Sequence, residues 1–192
     1  MMRLLTVVLA SLVLSSCATV TEFLGGQDNV TPPTELEPIT PRVTLQERWS
    51  RDLGKGIGEQ YLKLAPLVAG ERVYGAGRGG RVSAYRLGDG SPLWETDLDV
   101  PISGGPGAGG GLVLVGTSDA EVHALDAATG ERRWRAQVSS EVLARPVATA
   151  DVVVVRTVDG KLVGLAADTG ERIWIYDRSV PVLTLRGTSP PV

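Results

Sequence analysis

A chain of 192 residues with 43% hydrophobic and 21% charged residues and 24 glycines has the composition of a folding globular protein, not of a disordered or collagen-like one. Its formal net charge of −3 lacks the cationic excess that neutralising many phosphates requires, which excludes nucleic acid as a partner. The short run Glu131-Arg132-Arg133-Trp134-Arg135 reads as a solvated strand face.

The N-terminus carries the first element. Met1, Met2 and Arg3 form a positive start, Leu4 to Leu14 a largely apolar stretch, and Leu14-Ser15-Ser16-Cys17 follows. Such a stretch is too short to cross a bilayer, which takes about 20 residues, so residues 1–16 read as a removable signal peptide. Small residues just before a Cys resemble the lipobox of bacterial lipoproteins. That resemblance implies that Cys17 is lipidated, as in palmitate-bearing lipoproteins, and becomes the mature N-terminus. Ala18 stands where inner-membrane-retained lipoproteins of enteric-type bacteria carry Asp, which implies an anchor in the outer membrane. Cys17 is the sole cysteine, so no disulfide forms within the chain and the fold must rest on packing and strand pairing. Residues 17–44 then turn polar and proline-rich, with TPPTELEPITPR at 31–42. Proline removes ladder donors and favours extended backbone; as a flexible tether this length spans about 25–30 Å.

From residue 45 to 192 the chain repeats itself. Trp94, Trp134 and Trp174 recur at intervals of forty residues, as do Gly90, Gly130 and Gly170, and Pro66, Pro106 and Pro146. Between each Pro and Trp lie an apolar run (ERVYGAG, GLVLVGT, DVVVVRT) and an alternating run (RVSAYR, EVHALD, KLVGLA). Their lengths and β-rich composition predict strands. With a short strand after the Pro and a Trp-bearing strand at the end, each unit holds four, which predicts an all-β propeller of antiparallel blades ending near Trp94, Trp134 and Trp174. The Asp-Gly of VDGK (158–161) and the Gly-Gly of RGGR (78–81) are expected at the centres of tight hairpins. Gly130 should supply a positive φ at the end of a longer hairpin loop, with Asp126 and Thr129 bonding turn amides. A blade exposes two faces and cannot bury enough apolar surface alone, so one Trp per blade is expected to wedge against its neighbour, burying on the order of 150–250 Å².

The motif A-x-D-x-x-T-G-x-x-x-W, met in full by Ala124, Asp126, Thr129, Gly130 and Trp134, resembles the tryptophan-docking repeat of the pyrroloquinoline-quinone (PQQ) dehydrogenase-type propellers. The third copy departs from it at Gly164 and Ala166, the first at Arg86 and through Gly88-Asp89 in the loop. With the lipobox, the Pro-rich tether, ERWSRDLGKGIGEQYLKLAP (47–66), VYGAGRGGRVSAY (73–85) and LTLRGTSPPV (183–192), the chain resembles the BamB family, lipoproteins of the outer-membrane β-barrel assembly machinery. The likeness implies an eight-bladed ring of which about three to four blades are present. Three and a fraction units cannot close a ring, so the sequence reads as the N-terminal part of a longer protein.

A catalytic reading finds little support. PQQ enzymes use a quinone, a Ca²⁺ and a catalytic Asp, often beside a vicinal disulfide that one Cys cannot make. His123 is the sole His and reads as a packing or surface residue of an alternating strand; a nucleophile needs three convergent groups, and a zinc site more ligands than this. The expectation is therefore no catalytic residue, no cofactor and no metal, with a fragment of a PQQ-dependent periplasmic dehydrogenase or a PQQ-like sensor propeller as the alternative. Recognition is expected instead, through loops on a rigid scaffold. One loop breaks the interval: Pro190 comes sixteen residues after Trp174, where Pro106 and Pro146 come twelve after Trp94 and Trp134. The added length holds Leu183, Leu185 and Arg186, two apolar side chains and an Arg of the kind enriched at interfaces. The family resemblance implies that these three contact the periplasmic POTRA domains of BamA, the barrel subunit, on the periplasmic side of the outer membrane, and that unfolded outer-membrane proteins are the machinery's clients.

Overall fold

The computed structural model describes residues 35–37, 40, 42–54, 56–177 and 189–191. The chain divides into two units, Met1–Leu45 and Gln46–Val192. In the first unit the described residues form no helix or strand, and Leu36 and Leu45 are exposed.

The second unit holds three four-stranded antiparallel sheets, each a simple meander in chain order. Blade 1 comprises β1 (Leu67–Ala69), β2 (Arg72–Ala76), β3 (Arg81–Arg86) and β4 (Pro92–Asp97). Blade 2 comprises β5 (Ile102–Gly109), β6 (Leu112–Thr117), β7 (Glu121–Asp126) and β8 (Arg132–Gln137). Blade 3 comprises β9 (Val147–Ala148), β10 (Val152–Arg156), β11 (Leu162–Ala166) and β12 (Arg172–Tyr176). The expected blades are therefore present, with all four strands of each in sequence order.

The apolar runs fill the space between blades. Side chains alternate across a strand, so Val113 and Val115 of β6 join Val82, Ala84 and Ile102 in a buried cluster shared with blade 1. Leu112 and Leu114 of the same strand point the other way, into a cluster with Val153, Val155, Val163 and Leu165 of blade 3. Every residue of β6 is buried, which is why its sequence is a continuous apolar run and not an alternation. At roughly 1.5–3 kcal/mol for each fully buried Val or Leu, contact between sheets is the main source of cohesion.

Two local expectations are corrected. The hairpins between the second and third strands carry three loop residues, not two. Gly77 and Arg81 are still bonded to each other, as are Thr157 and Lys161, so Gly80 and Gly160 fall at the third loop position with φ of +103° and +87°. That is the turn-plus-bulge hairpin in which the final loop residue is left-handed. Ala120 takes this place in blade 2 with φ +61°. The innermost strand of blade 2 also begins before its proline and runs eight residues, against three for β1 and two for β9. Its glycines explain the length. A Cβ on Gly107 would lie 2.0 Å from the Pro146 carbonyl oxygen and one on Gly109 2.1 Å from that of Ala148, so β5 lies backbone against backbone with the incoming segment of blade 3.

Candidate partner-binding end of the propeller

Trp94 and Trp134 dock on the next blade as predicted, by one recurring geometry. In each blade the ladder between the third and fourth strands slips by one residue beside the Trp pair, at Ala84/Tyr85, Ala124/Leu125 and Gly164/Leu165. Such a bulge re-aims the side chains around it. The Trp94 indole N–H donates to the Ala127 carbonyl (3.1 Å), and that of Trp134 to Ala167 (2.8 Å). Three residues after each acceptor stands the turn glycine, and a Cβ on Gly130 or Gly170 would meet the Trp94 or Trp134 ring at 2.6 Å. Trp49, which lies outside any strand, repeats the geometry on blade 1: its N–H donates to Leu87 (2.9 Å) and its ring covers Gly90. Trp174 differs. It is 40% exposed, and its ring lies over Gly164 of its own sheet, the position held by Ala84 and Ala124 in the other blades.

The docking turn is rigid where the motif says it should be. Asp126 accepts the backbone N–H groups of Ala128 (2.8 Å) and Thr129 (3.0 Å), and those bonds hold its carboxyl below the ordinary range. Asp89 is held low in the same way, first by the Ser91 N–H.

Among the described residues, no catalytic constellation surrounds His123. Its side chain is 1% exposed and its Nε2 lies 3.0 Å from Glu121, whose other oxygen meets Arg135 at 3.5 Å. Burial lowers the His123 pKa, and the Glu121 hydrogen bond opposes that shift without cancelling it. In blade 1 the same position is Ser83, bonded to Glu95 (3.3 Å), which in turn faces Arg81 (3.5 Å). The pair is thus Arg-then-Glu in one blade and Glu-then-Arg in the next, a cross-strand ion pair written in both orders. Two clefts between blades, of about 470 and 390 Å³, are lined by residues forty apart (Gly70 and Gly110, Arg72 and Leu112, Ala127 and Ala167). Their repetition marks them as grooves of the architecture, not as one built ligand site. Among the described residues, no three His, Cys, Asp or Glu side chains are placed to hold a metal ion.

Antiparallel strands put alternate turns at opposite ends of the propeller. The docking turns share one end with the β5–β6 type of turn. The opposite end carries the β6–β7 type of hairpin, the connections from β4 to β5 and from β8 to β9, and the end of β12. Blade 3 is braced at that end: Asp159 accepts from Lys161 (2.7 Å), Ser139 (3.2 Å) and Thr157. Burial alone would raise the Asp159 pKa, and these three bonds outweigh it and hold the group low. The last strand, β12, is apolar on its open face: Ile173 and Ile175 are 55% and 43% exposed, where β8 carries Arg133 and Arg135. Cys17, Leu183, Leu185 and Arg186, the residues singled out from sequence, lie outside the described residues.

Comparison with known proteins gives a consistent result. The family described as "Outer membrane protein assembly factor BamB" matches residues 78–192. A protein of that name from Kangiella koreensis is 49% identical over 187 residues, 97% of this chain and 46% of the relative. Another, from Pseudomonas aeruginosa, is 50% identical over 86 residues, 45% of this chain and 23% of the relative. The crystal structure of BamB from Moraxella catarrhalis superposes with a TM-score of 0.62 at 34% identity, covering 70% of this chain and 40% of that one. A quinohemoprotein alcohol dehydrogenase from Comamonas testosteroni, at 21% identity and TM-score 0.51, shares the fold. The chain spans less than half the length of the curated relatives it matches.

Proposed function

The chain belongs to the family of the outer membrane protein assembly factor BamB, and on that premise we propose that it is a non-catalytic lipoprotein scaffold of the β-barrel assembly machinery. Lipid on Cys17 anchors it to the periplasmic side of the outer membrane, and residues 17–44 hold the propeller clear of the surface. Leu183, Leu185 and Arg186 bind the POTRA domains of BamA. Through that contact the protein assists the folding and insertion of outer-membrane proteins.

The observation that carries this reading is the break in the forty-residue interval after Trp174. The connections after Trp94 and Trp134 reach the next proline in twelve residues, and this one takes four more. They follow β12, whose outward isoleucines replace the arginines of β8, and exposed apolar surface of this kind marks protein contacts. The scaffold reading, as against an enzyme, is supported by the printed names of the relatives, which are assembly factors. The test is capture of purified BamA periplasmic domains by the full-length protein, wild type beside Leu185→Ala and Arg186→Ala. The wild type should retain the domains, and each substitution should weaken capture at least tenfold with the circular dichroism spectrum unchanged, as loss of a hot-spot residue does. Equal capture by wild type and variants would remove this loop from the interface.

A further inference from the structure

The first strands of successive blades pack together, β5 against β1 and against β9, so β4, β8 and β12 form the far edges of their sheets. In an antiparallel edge strand every second residue turns its N–H and C=O away from the sheet, a row with which another extended chain can pair. Charged side chains and proline blunt such an edge. β4 carries Pro92, Glu95 and Asp97, and β8 carries Arg132, Arg133 and Arg135. β12 has Arg172 at its start and then only Ile173, Trp174, Ile175 and Tyr176.

The exchange is made in pairs. In blades 1 and 2 a charge on the fourth strand is tied to the third: Glu95 faces Arg81 (3.5 Å) and accepts from Ser83, and Arg135 faces Glu121 (3.5 Å), which also meets His123. Forty residues on, Ile175 stands opposite Val163, and Lys161, the counterpart of Arg81 and Glu121, bonds instead to Asp159 in its own hairpin (2.7 Å). A second pair goes the same way: Arg133 faces Asp126 (3.7 Å), while Ile173 and Ala166 hold those places in blade 3. Direct cross-strand neighbours share a face of the sheet. Val163 belongs to the cluster shared with blade 2, so Ile175 beside it looks into the outer groove between blades 2 and 3 and is exposed with both walls of that groove present.

We propose that the outer edge of β12 is where the protein holds an extended, unfolded client chain, which adds to blade 3 as a fifth strand. The segment that fits has an apolar residue at every second place, the pattern of a transmembrane β-strand. Its backbone pairs with the open edge, and its apolar row lies along Ile175. Main-chain bonds supply affinity whatever the sequence, which suits a site that takes many clients. This rests on the reading of the chain as a factor in outer-membrane protein assembly, and adds where the client is bound.

The test uses the full-length protein and a labelled peptide of about ten residues alternating Val or Tyr with Thr, read by fluorescence anisotropy. One control is the same peptide N-methylated at every second residue, the other a peptide of the same composition with its apolar residues in one block. The wild type should bind the alternating peptide, and each control at least about tenfold more weakly. Ile175→Arg and the double variant Ile173→Arg/Ile175→Arg carry the side chains that β8 has at these places, so the blade stays folded. Each should weaken peptide binding about tenfold or more, with the circular dichroism spectrum and capture of BamA periplasmic domains unchanged. No binding by the wild type, or equal binding by wild type and variants, overturns the proposal. Loss of BamA capture in Ile175→Arg with peptide binding intact gives this edge to BamA and overturns it too. Peptide binding, lost in the variants, by a wild type that captures no BamA domains overturns the BamA reading and leaves this proposal standing.

Discussion

His123 lies between two strands with Nδ1 buried and unpaired among the described residues and Nε2 against Glu121. Burial disfavours the charged ring and lowers its pKa, and a proton at Nδ1 would find no acceptor among the described residues. The unfolded chain takes up that proton near pH 6.5 and the folded chain does so lower, so folding stability is lost as pH falls through 6.5. The loss is at most about 1.4 kcal/mol per pH unit. Urea midpoints should therefore fall between pH 7 and pH 5.5 in the wild type and stay nearly level in His123→Gln; equal slopes would show that another group titrates. The carboxyls held low at Asp89, Asp126 and Asp159 act in a separate window, their contribution being lost only as pH drops below about 4.

At the scale of the element, the unit of construction is a turn and the Trp that covers it. Gly130 combines φ +79° with a Trp94 ring that leaves no room for a methyl group, whereas Gly88, in the same type of turn, faces open space. Gly130→Ala should destabilise the chain by about 2–4 kcal/mol, through positive-φ strain and displacement of the ring. Gly88→Ala should stay within about 0.5 kcal/mol, and similar losses at both sites in urea melts would contradict the docking account. This part of the fold was legible in the sequence because Gly90, Gly130 and Gly170 and Trp94, Trp134 and Trp174 recur in register, the glycine at the positive φ of the turn and the Trp to cover it. The backbone contact of β5 was not legible. ISGGPGAG reads as a poor strand, because glycine has no side chain to pack, and only the approach of Pro146 and Ala148 shows why no side chain is wanted. The hairpin loops were misjudged by one residue for a related reason: Asp-Gly and Gly-Gly are compatible with two- and three-residue loops, and the ladder bonds of Gly77 and Thr157 decide between them.

For the whole molecule, alternation of antiparallel turns separates two ends with different work. One end carries the repeated docking turns that hold blade to blade. The other carries the connections from β4 to β5 and from β8 to β9 and the end of β12, and it is this end that we propose for the partner. The most direct measurement is site-specific photo-crosslinking of the full-length protein in outer membranes, with the reactive residue at position 185 or, at the opposite end, at position 128. The account predicts a crosslink to BamA from position 185 and none from position 128. A BamA crosslink from position 128 alone, or from neither position in a membrane-anchored, folded protein, would contradict it.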